Sequence, residues 1–265
     1  MPSHKRFKIL ITNDDGPFSP GLKLLYDAVK DLGECFVVVP ETPKSASGLG
    51  ITLHKPLRIK RLVVQDVPMY LVNGAPSDII YVAENSVCGR PNLVLSGVNI
   101  GDNTSVQVVL SSGTVGAALQ AALENIPGIS FSVAADSPEK LEEKELWQSI
   151  WKAIRMLVKH VVEEGFPEGV DVLNVNFPSK PAKTFKYAPL ARLRFSNLVV
   201  KRRDPRGVDY YWLYGEPVQP EPGTDVYTVL VEEKISVTPI SIRGLTGPSE
   251  PVLKLLKRLS VYLSI

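Results

Sequence analysis

A chain of 265 residues with 44% hydrophobic and 22% charged side chains suits one large globular α/β domain, or such a domain with an appended arm. A formal net charge of +2 supplies no general drive toward nucleic acid or a membrane surface. Two cysteines (Cys35, Cys88) and three scattered histidines (His4, His54, His160) argue against a disulfide framework and a thiolate or histidine-rich zinc centre, so any metal is expected to be a hard cation held by oxygen.

The opening MPSHKRFKILIT lacks the h-region of a signal peptide, and no apolar run reaches the length of a membrane span, so a cytoplasmic protein is expected. In Phe7–Gly21 (FKILITNDDGPFSPG) an apolar strand runs into the adjacent carboxylates Asp14 and Asp15. Paired acids at a strand end repel each other unless a cation or shared proton compensates, which points to a divalent metal. An N-cap or Asx-turn role is the plainer alternative, and it accounts for one Asp more readily than for two. Ser19 and Pro20 read as the N-cap and first residue of a helix carrying Leu22, Leu25, Ala28, Val29 and Leu32, with Gly33 at its end. Cys35–Val39 (CFVVV) is a second buried strand ended by Pro40, which completes a βαβ unit and a parallel sheet. There is no G-x-G-x-x-G, and a dinucleotide site is disfavoured.

Pro40–Pro56 reads as a long loop, Leu57–Val72 as a hairpin or short strands, and Asn73-Gly74-Ala75-Pro76 as a turn with Ser77 or Asp78 capping the next helix. Leu93–Leu95 is another apolar strand, followed by small and polar residues from Ser96 to Asn103. Ser111-Ser112-Gly113-Thr114 opens a helix rich in alanine. Ile129–Ala134 reads as a strand. Ser137-Pro138-Glu139 opens a long helix whose stripe includes Trp147 and Trp151, which helical spacing assigns to the core rather than to a stacking platform. Val170–Phe177 alternates as a strand. From about Lys180 the chain turns basic and aromatic. Val226–Ile240 reads as two strands joined at Glu232-Glu233-Lys234, and Val252, Leu255, Leu256, Leu259 and Leu263 mark a last helix. The division drawn is a core over residues 1–182 and an arm for subunit contact over 183–265.

Three strand-end loops carry oxygen groups: Asp14 and Asp15, then Ser45, then Asn99. Ligands of open α/β sheets bind at these ends, and two carboxylates with a hydroxyl and an amide oxygen suit a hard cation. Ser112-Gly113-Thr114 reads either as an anion seat at a helix N-terminus or as an ordinary cap. Beside a metal, the seat implies phosphoryl chemistry. Lys201-Arg202-Arg203 is either a solvated face or a polyanion patch. Tyr210, Tyr211, Trp212 and Tyr214 either stack a base or pack an interface.

ILITNDDG, SPGL, PETPKSASG, LSGVNIGDN, SSGTVGAA and ISVTPI, in that order, resemble the survival protein SurE family of metal-dependent nucleotidases. The resemblance implies a three-layer α/β/α, Rossmann-like fold with a C-terminal arm exchanged between subunits in a homodimer or homotetramer. It implies Asp14, Asp15, Ser45 and Asn99 as ligands of one divalent cation per subunit (Mg²⁺ or Mn²⁺), with Asp14 and Asp15 also the catalytic acids. It sets Asn103 and Ser112-Gly113-Thr114 around the phosphate. The activity implied is hydrolysis of nucleoside 5′- and 3′-monophosphates, with attack by a water oriented at the metal favoured over an aspartyl phosphate. Ser111 departs from an aromatic residue or histidine, and Asp102 from a proline, both common in the family. The rival readings are a polyphosphate or nucleic-acid phosphatase, a receiver-like Mg²⁺-binding signalling module, and a nucleotide-binding protein without catalysis.

Overall fold

The structure, a computed structural model, describes residues 6–196, 198–245, 250–252, 254 and 256. Its elements begin with β1 (Lys8–Thr12), α1 (Pro20–Val29), β2 (Glu34–Pro40), β3 (Ile59–Val64), β4 (Val67–Val72), α2 (Pro76–Ser86) and β5 (Leu93–Ile100). Then follow α3 (Ser105–Ser111), α4 (Gly113–Leu123), β6 (Gly128–Val133), α5 (Pro138–Leu141), α6 (Lys144–Glu164) and β7 (Val172–Phe177). The remainder is β8 (Phe185–Tyr187), β9 (Leu198–Arg203), β10 (Asp209–Tyr214), α7 (Asp225–Leu230) and β11 (Ile235–Ile240), closed by a 3₁₀ turn over Ile242–Leu245.

Nine strands form one sheet in the order β3-β4-β2-β1-β5-β6-β7-β11-β8, and β9 with β10 form a separate antiparallel hairpin. The pairs from β4 to β7 are all parallel; β3 runs against β4 and β11 against β7. Continuous apolar strands are what a sheet covered on both faces requires. Alternation sorts their side chains: Ile9, Ile11, Val37, Val39, Leu93 and Leu95 meet α1, α5 and α6, whereas Leu10, Val38 and Val94 meet α2 and α4. The result is three layers, α/β/α. Ile9, Leu10 and Ile11 are fully buried, each contributing about 1.5–3 kcal/mol.

Ser19 occupies the N-cap position of α1 and Pro20 the first turn, as the sequence predicts. A Cβ at Gly21 would lie 1.9 Å from Val98 O, so only glycine lets the head of α1 rest on the end of β5. Trp147 and Trp151 pack, partly buried, against the core on the α6 side.

Several elements differ from the sequence reading. The first turn of α2 starts at Pro76 with Ala75 as N-cap; Asp78 is its third residue, accepting the Ala75 N–H at 2.7 Å. The predicted long helix is two, α5 and α6, broken at Glu142–Glu143. β5 runs on past Leu95 through an irregularity in its pairing with β6 and includes Asn99. The first of the two strands read in Val226–Ile240 is α7, because Thr224 Oγ1 accepts the Tyr227 N–H at 3.4 Å and starts a helical turn. Of the last predicted helix, Leu255, Leu259 and Leu263 lie outside the described residues.

Candidate active site

β1 and β5 are neighbours at the centre of the sheet, and both deliver polar residues at their carboxyl ends. Asn13 shapes the turn after β1: its Nδ2 donates to Gly16 O at 2.9 Å and its Oδ1 accepts the Gly16 N–H at 3.2 Å. Asp14 and Asp15 sit inside that turn. Asp14 is only 4% exposed, and the Thr114 hydroxyl donates to its Oδ1. The Gly113 and Thr114 backbone N–H groups also serve this carboxylate. Burial raises the Asp14 pKa, against the pull of these donors. Asp15 is pushed up to about 6, first by burial and then by the charge of Asp14; the Ile100 backbone and the Ser19 hydroxyl at 3.5 Å oppose the shift.

The long loop after β2 folds over this pair. The Lys44 N–H donates to Asp14 O at 2.7 Å and the Gly48 N–H to Ser111 O at 2.9 Å, which pins the loop at both ends and holds Ser45 between them, on an exposed turn. Ser47 Oγ, on the same loop, lies buried without a partner among the described residues. A Cβ at Gly113 would meet Ser47 Oγ at 2.6 Å and Asp14 Oδ2 at 2.9 Å, so the glycine is a condition of the close approach. Asn99 Nδ2 donates to Gly101 O at 2.8 Å, which commits its amide nitrogen and leaves Oδ1 as the group it offers.

Ser112 is the N-cap of α4 and accepts the Val115 N–H at 3.1 Å. Ser112 therefore caps α4, while the Gly113 and Thr114 N–H groups engage the Asp14 carboxylate. Asn103 is buried. Its N–H donates to Asn176 Oδ1 and its Nδ2 to Ser132 Oγ, both at 2.8 Å, so its side chain faces the sheet. Asn174 and Asn176, fully buried on β7, brace this loop, Asn174 Nδ2 donating to Asn103 O at 2.8 Å. Sequence reasoning missed both, although polar residues alternating with apolar ones in VDVLNVNF were their signal.

Asp102 is paired as well. Arg194 Nε donates to its Oδ1 at 3.3 Å and Nη2 to its Oδ2 at 3.3 Å, with the two side chains 11% and 8% exposed. Asp225, also missed, accepts the N–H groups of Ser105 at 2.7 Å, Ala191 at 2.8 Å and Val226 at 2.8 Å. Ser105 has a φ of +69°, a conformation that this acceptor helps to hold. By contrast, Lys201 and Arg203 of the basic run both pair with Asp209 across the hairpin, which marks them as a solvated face.

Among the described residues no cationic side chain pairs with Asp14 or Asp15, and no three His, Cys, Asp or Glu side chains cluster. A buried carboxylate, Asp14, next to a half-buried one, Asp15, with no cationic partner among the described residues, fits a hard divalent cation.

The fold is that of an open three-layer α/β protein, a class whose ligands bind in the crevice at the carboxyl ends of the strands, where Asp14 and Asp15 lie. The family model described as "Survival protein SurE" matches residues 9–198. The 5′-nucleotidase SurE of Thermofilum pendens is 58% identical over 246 residues, covering 93% of this chain and 95% of that protein. The 5′-nucleotidase SurE of Hyperthermus butylicus is 57% identical, covering 89% and 85%. The crystal structure of the SurE protein from Aquifex aeolicus superposes with a TM-score of 0.76 at 33% identity, covering 96% of this chain and 99% of that one. The chain belongs to the SurE family.

Proposed function

We propose that this chain is a nucleotidase, a phosphoric monoester hydrolase that releases phosphate from nucleoside 5′- and 3′-monophosphates. The observation that carries the reading is the Asp14–Asp15 pair, without a cationic partner among the described residues, in which Asp14 is buried against the N-terminus of α4 and Asp15 is half-buried beside it. Relatives named 5′-nucleotidase SurE that span nearly the whole chain support it. Asp14, Asp15, Ser45 and Asn99 would hold one divalent cation, Mg²⁺ or Mn²⁺. Such a cation supplies positive charge to the phosphate oxygens and lowers the pKa of the attacking water.

The chain's own groups do the rest. Thr114 and Lys44 fix Asp14 from side chain and backbone, so its position survives substrate entry. Asp15 has fewer partners and takes the proton released as water attacks. The Gly113 and Thr114 N–H groups are engaged by Asp14, so the head of α4 would act on a phosphate beside that carboxylate through the helix dipole. Asn103 holds the β5–α3 loop against β6 and β7 at the edge of that seat. Residues 1–182 are assigned this chemistry, and residues 183–265, which also add β8 and β11 to the central sheet, a subunit contact that makes a homodimer or homotetramer. A cytoplasmic setting fits a nucleotide substrate; among the described residues no single helix is long and apolar enough to cross a membrane.

The test is phosphate release from a panel of nucleoside monophosphates with Mg²⁺, Mn²⁺ or EDTA, on the wild type and Asp15→Asn. Release that requires the cation and disappears in the variant is the expected result. A folded wild type inert on every nucleotide with every metal rejects the reading.

A further inference from the structure

The side-chain amide of Asn99 is oriented through its nitrogen: Nδ2 donates to Gly101 O at 2.8 Å and, less closely, to Ile100 O at 3.4 Å. The Gly101 carbonyl lies in the rigid peptide plane that Gly101 shares with Asp102, so the direction of the Asn99 amide depends on where Asp102 is held. On the amino side of that unit the Gly101 N–H donates to Val133 O at 2.9 Å, which fixes it to β6. The preceding peptide reaches the acids as well, since the Ile100 backbone supports Asp15. A shift of Asp102 is therefore felt at Asn99 first and at Asp15 next.

Asp102 is held from far along the chain. Its carboxylate accepts the Thr104 hydroxyl and pairs with Arg194, which lies 92 residues later. Arg194 is placed by more than this pair. Gln107 Oε1 accepts the N–H groups of Arg194 at 3.1 Å and Phe195 at 3.0 Å, and the Val106 N–H donates to Ala191 O at 2.8 Å, so the segment Ala191–Phe195 is laced along the head of α3. The Phe195 ring lies 4.6 Å from the guanidinium and covers one side of it. A pair shielded in this way is costly to break, because the partner left behind is a buried charge without compensation. Without Arg194, the Asp102 carboxylate would turn toward water and carry the Gly101 carbonyl with it.

We propose that Arg194 is a positioning residue for the cation site: through Asp102 and the Gly101–Asp102 peptide it sets the orientation in which Asn99 presents its Oδ1. The proposal rests on the nucleotidase reading, which makes Asn99 a ligand of the cation. It gives the chain beyond residue 182 a part in the chemistry besides subunit contact.

The test is calorimetric titration of the EDTA-treated, dialysed protein with Mn²⁺, run beside phosphate release from a nucleoside 5′-monophosphate. Losing a group that orients a metal ligand costs about 10–100-fold in affinity, and Arg194 acts one step further out, so Arg194→Met should weaken Mn²⁺ binding by roughly fivefold or more. The Mn²⁺ concentration for half-maximal release should rise with it, while KM for the nucleotide at saturating Mn²⁺ stays near the wild-type value. Arg194→Lys, which keeps the charge, should recover most of the binding. Asp102→Asn/Arg194→Met leaves no unpaired charge and serves if Arg194→Met fails to fold; it should bind Mn²⁺ as weakly as the single variant. The control is Lys201→Met, which removes an exposed cation paired with Asp209 on the hairpin and should bind like the wild type. A lowered Tm with unchanged Mn²⁺ binding in the Arg194→Met or double variant makes the pair a structural bridge only and overturns the proposal, with the nucleotidase reading left standing. A wild type that neither binds Mn²⁺ nor releases phosphate removes the two readings together.

Discussion

Replacing Gly113 by alanine sets two effects of opposite sign against each other. At an ordinary helical position the change is favourable by about 1 kcal/mol, because glycine loses more backbone entropy on folding. Here the new methyl would lie 2.6 Å from Ser47 Oγ and 2.9 Å from both Cβ and Oδ2 of Asp14. Overpacking of that kind costs about 1–3 kcal/mol, so the net change is a loss of up to about 2 kcal/mol, or a fall in Tm of roughly 4–8 °C for a chain of this size. Ser47 can yield by rotation, whereas Asp14 is tied to Thr114 and, through its carbonyl, to Lys44. A carboxylate displaced by about 1 Å costs on the order of a hundredfold in turnover. The double variant Ser47→Ala/Gly113→Ala separates the two parts. Ser47 Oγ is buried without a partner among the described residues, so its removal costs little and opens room for the methyl on that side. Scanning calorimetry should show most of the lost Tm recovered in the double variant, while metal-dependent phosphate release remains low. Gly113→Ala with a raised Tm and wild-type turnover would refute the steric argument and the place it gives Asp14.

Two further outcomes follow from the same geometry. Mg²⁺ or Mn²⁺ at a hundredfold excess over its dissociation constant should stabilise the EDTA-treated protein by about 2.7 kcal/mol and raise its Tm by roughly 5–10 °C; Asp15→Asn should show almost none of this rise, and an equal rise in the variant counts against the ligand set. Asp225→Ala strands the N–H groups of Ser105, Ala191 and Val226; at roughly 3 kcal/mol lost, Tm should drop by about 6–12 °C, and a drop within the error of the measurement contradicts the role given to this carboxylate.

The central sheet was legible because its strands are continuous apolar runs broken by Gly, Pro and Asp, and the helices around it carry plain caps and stripes. Asp14 and Asp15 stood out because adjacent acids at a strand end are costly without a partner. Less visible were features that depend on contacts distant in sequence. Asn99 falls in β5 because that strand continues along β6 beyond its irregularity, which no local pattern encodes. VYTVLV has strand propensity, yet Thr224 and the buried faces of Val226 and Val229 make α7 a helix. Asp102 and Arg194, and Asp225 and Ser105, find each other only once the sheet is complete. The same holds for Asn103, whose side chain is spent on Ser132 rather than left pointing outward.

The position of β1 at the middle of the sheet has a consequence during synthesis. Ile9 pairs with Cys35 on one side and with Leu93 on the other. A ribosome adding about 5–20 residues per second finishes β2 soon after β1 but leaves the opposite edge of β1 bare for several seconds more. Through that interval the two acids sit beside an open apolar edge, with neither Asn99 nor the head of α4 yet made. A bare edge is a template for the wrong partner, so β1 stays open to mispairing until β5 is made.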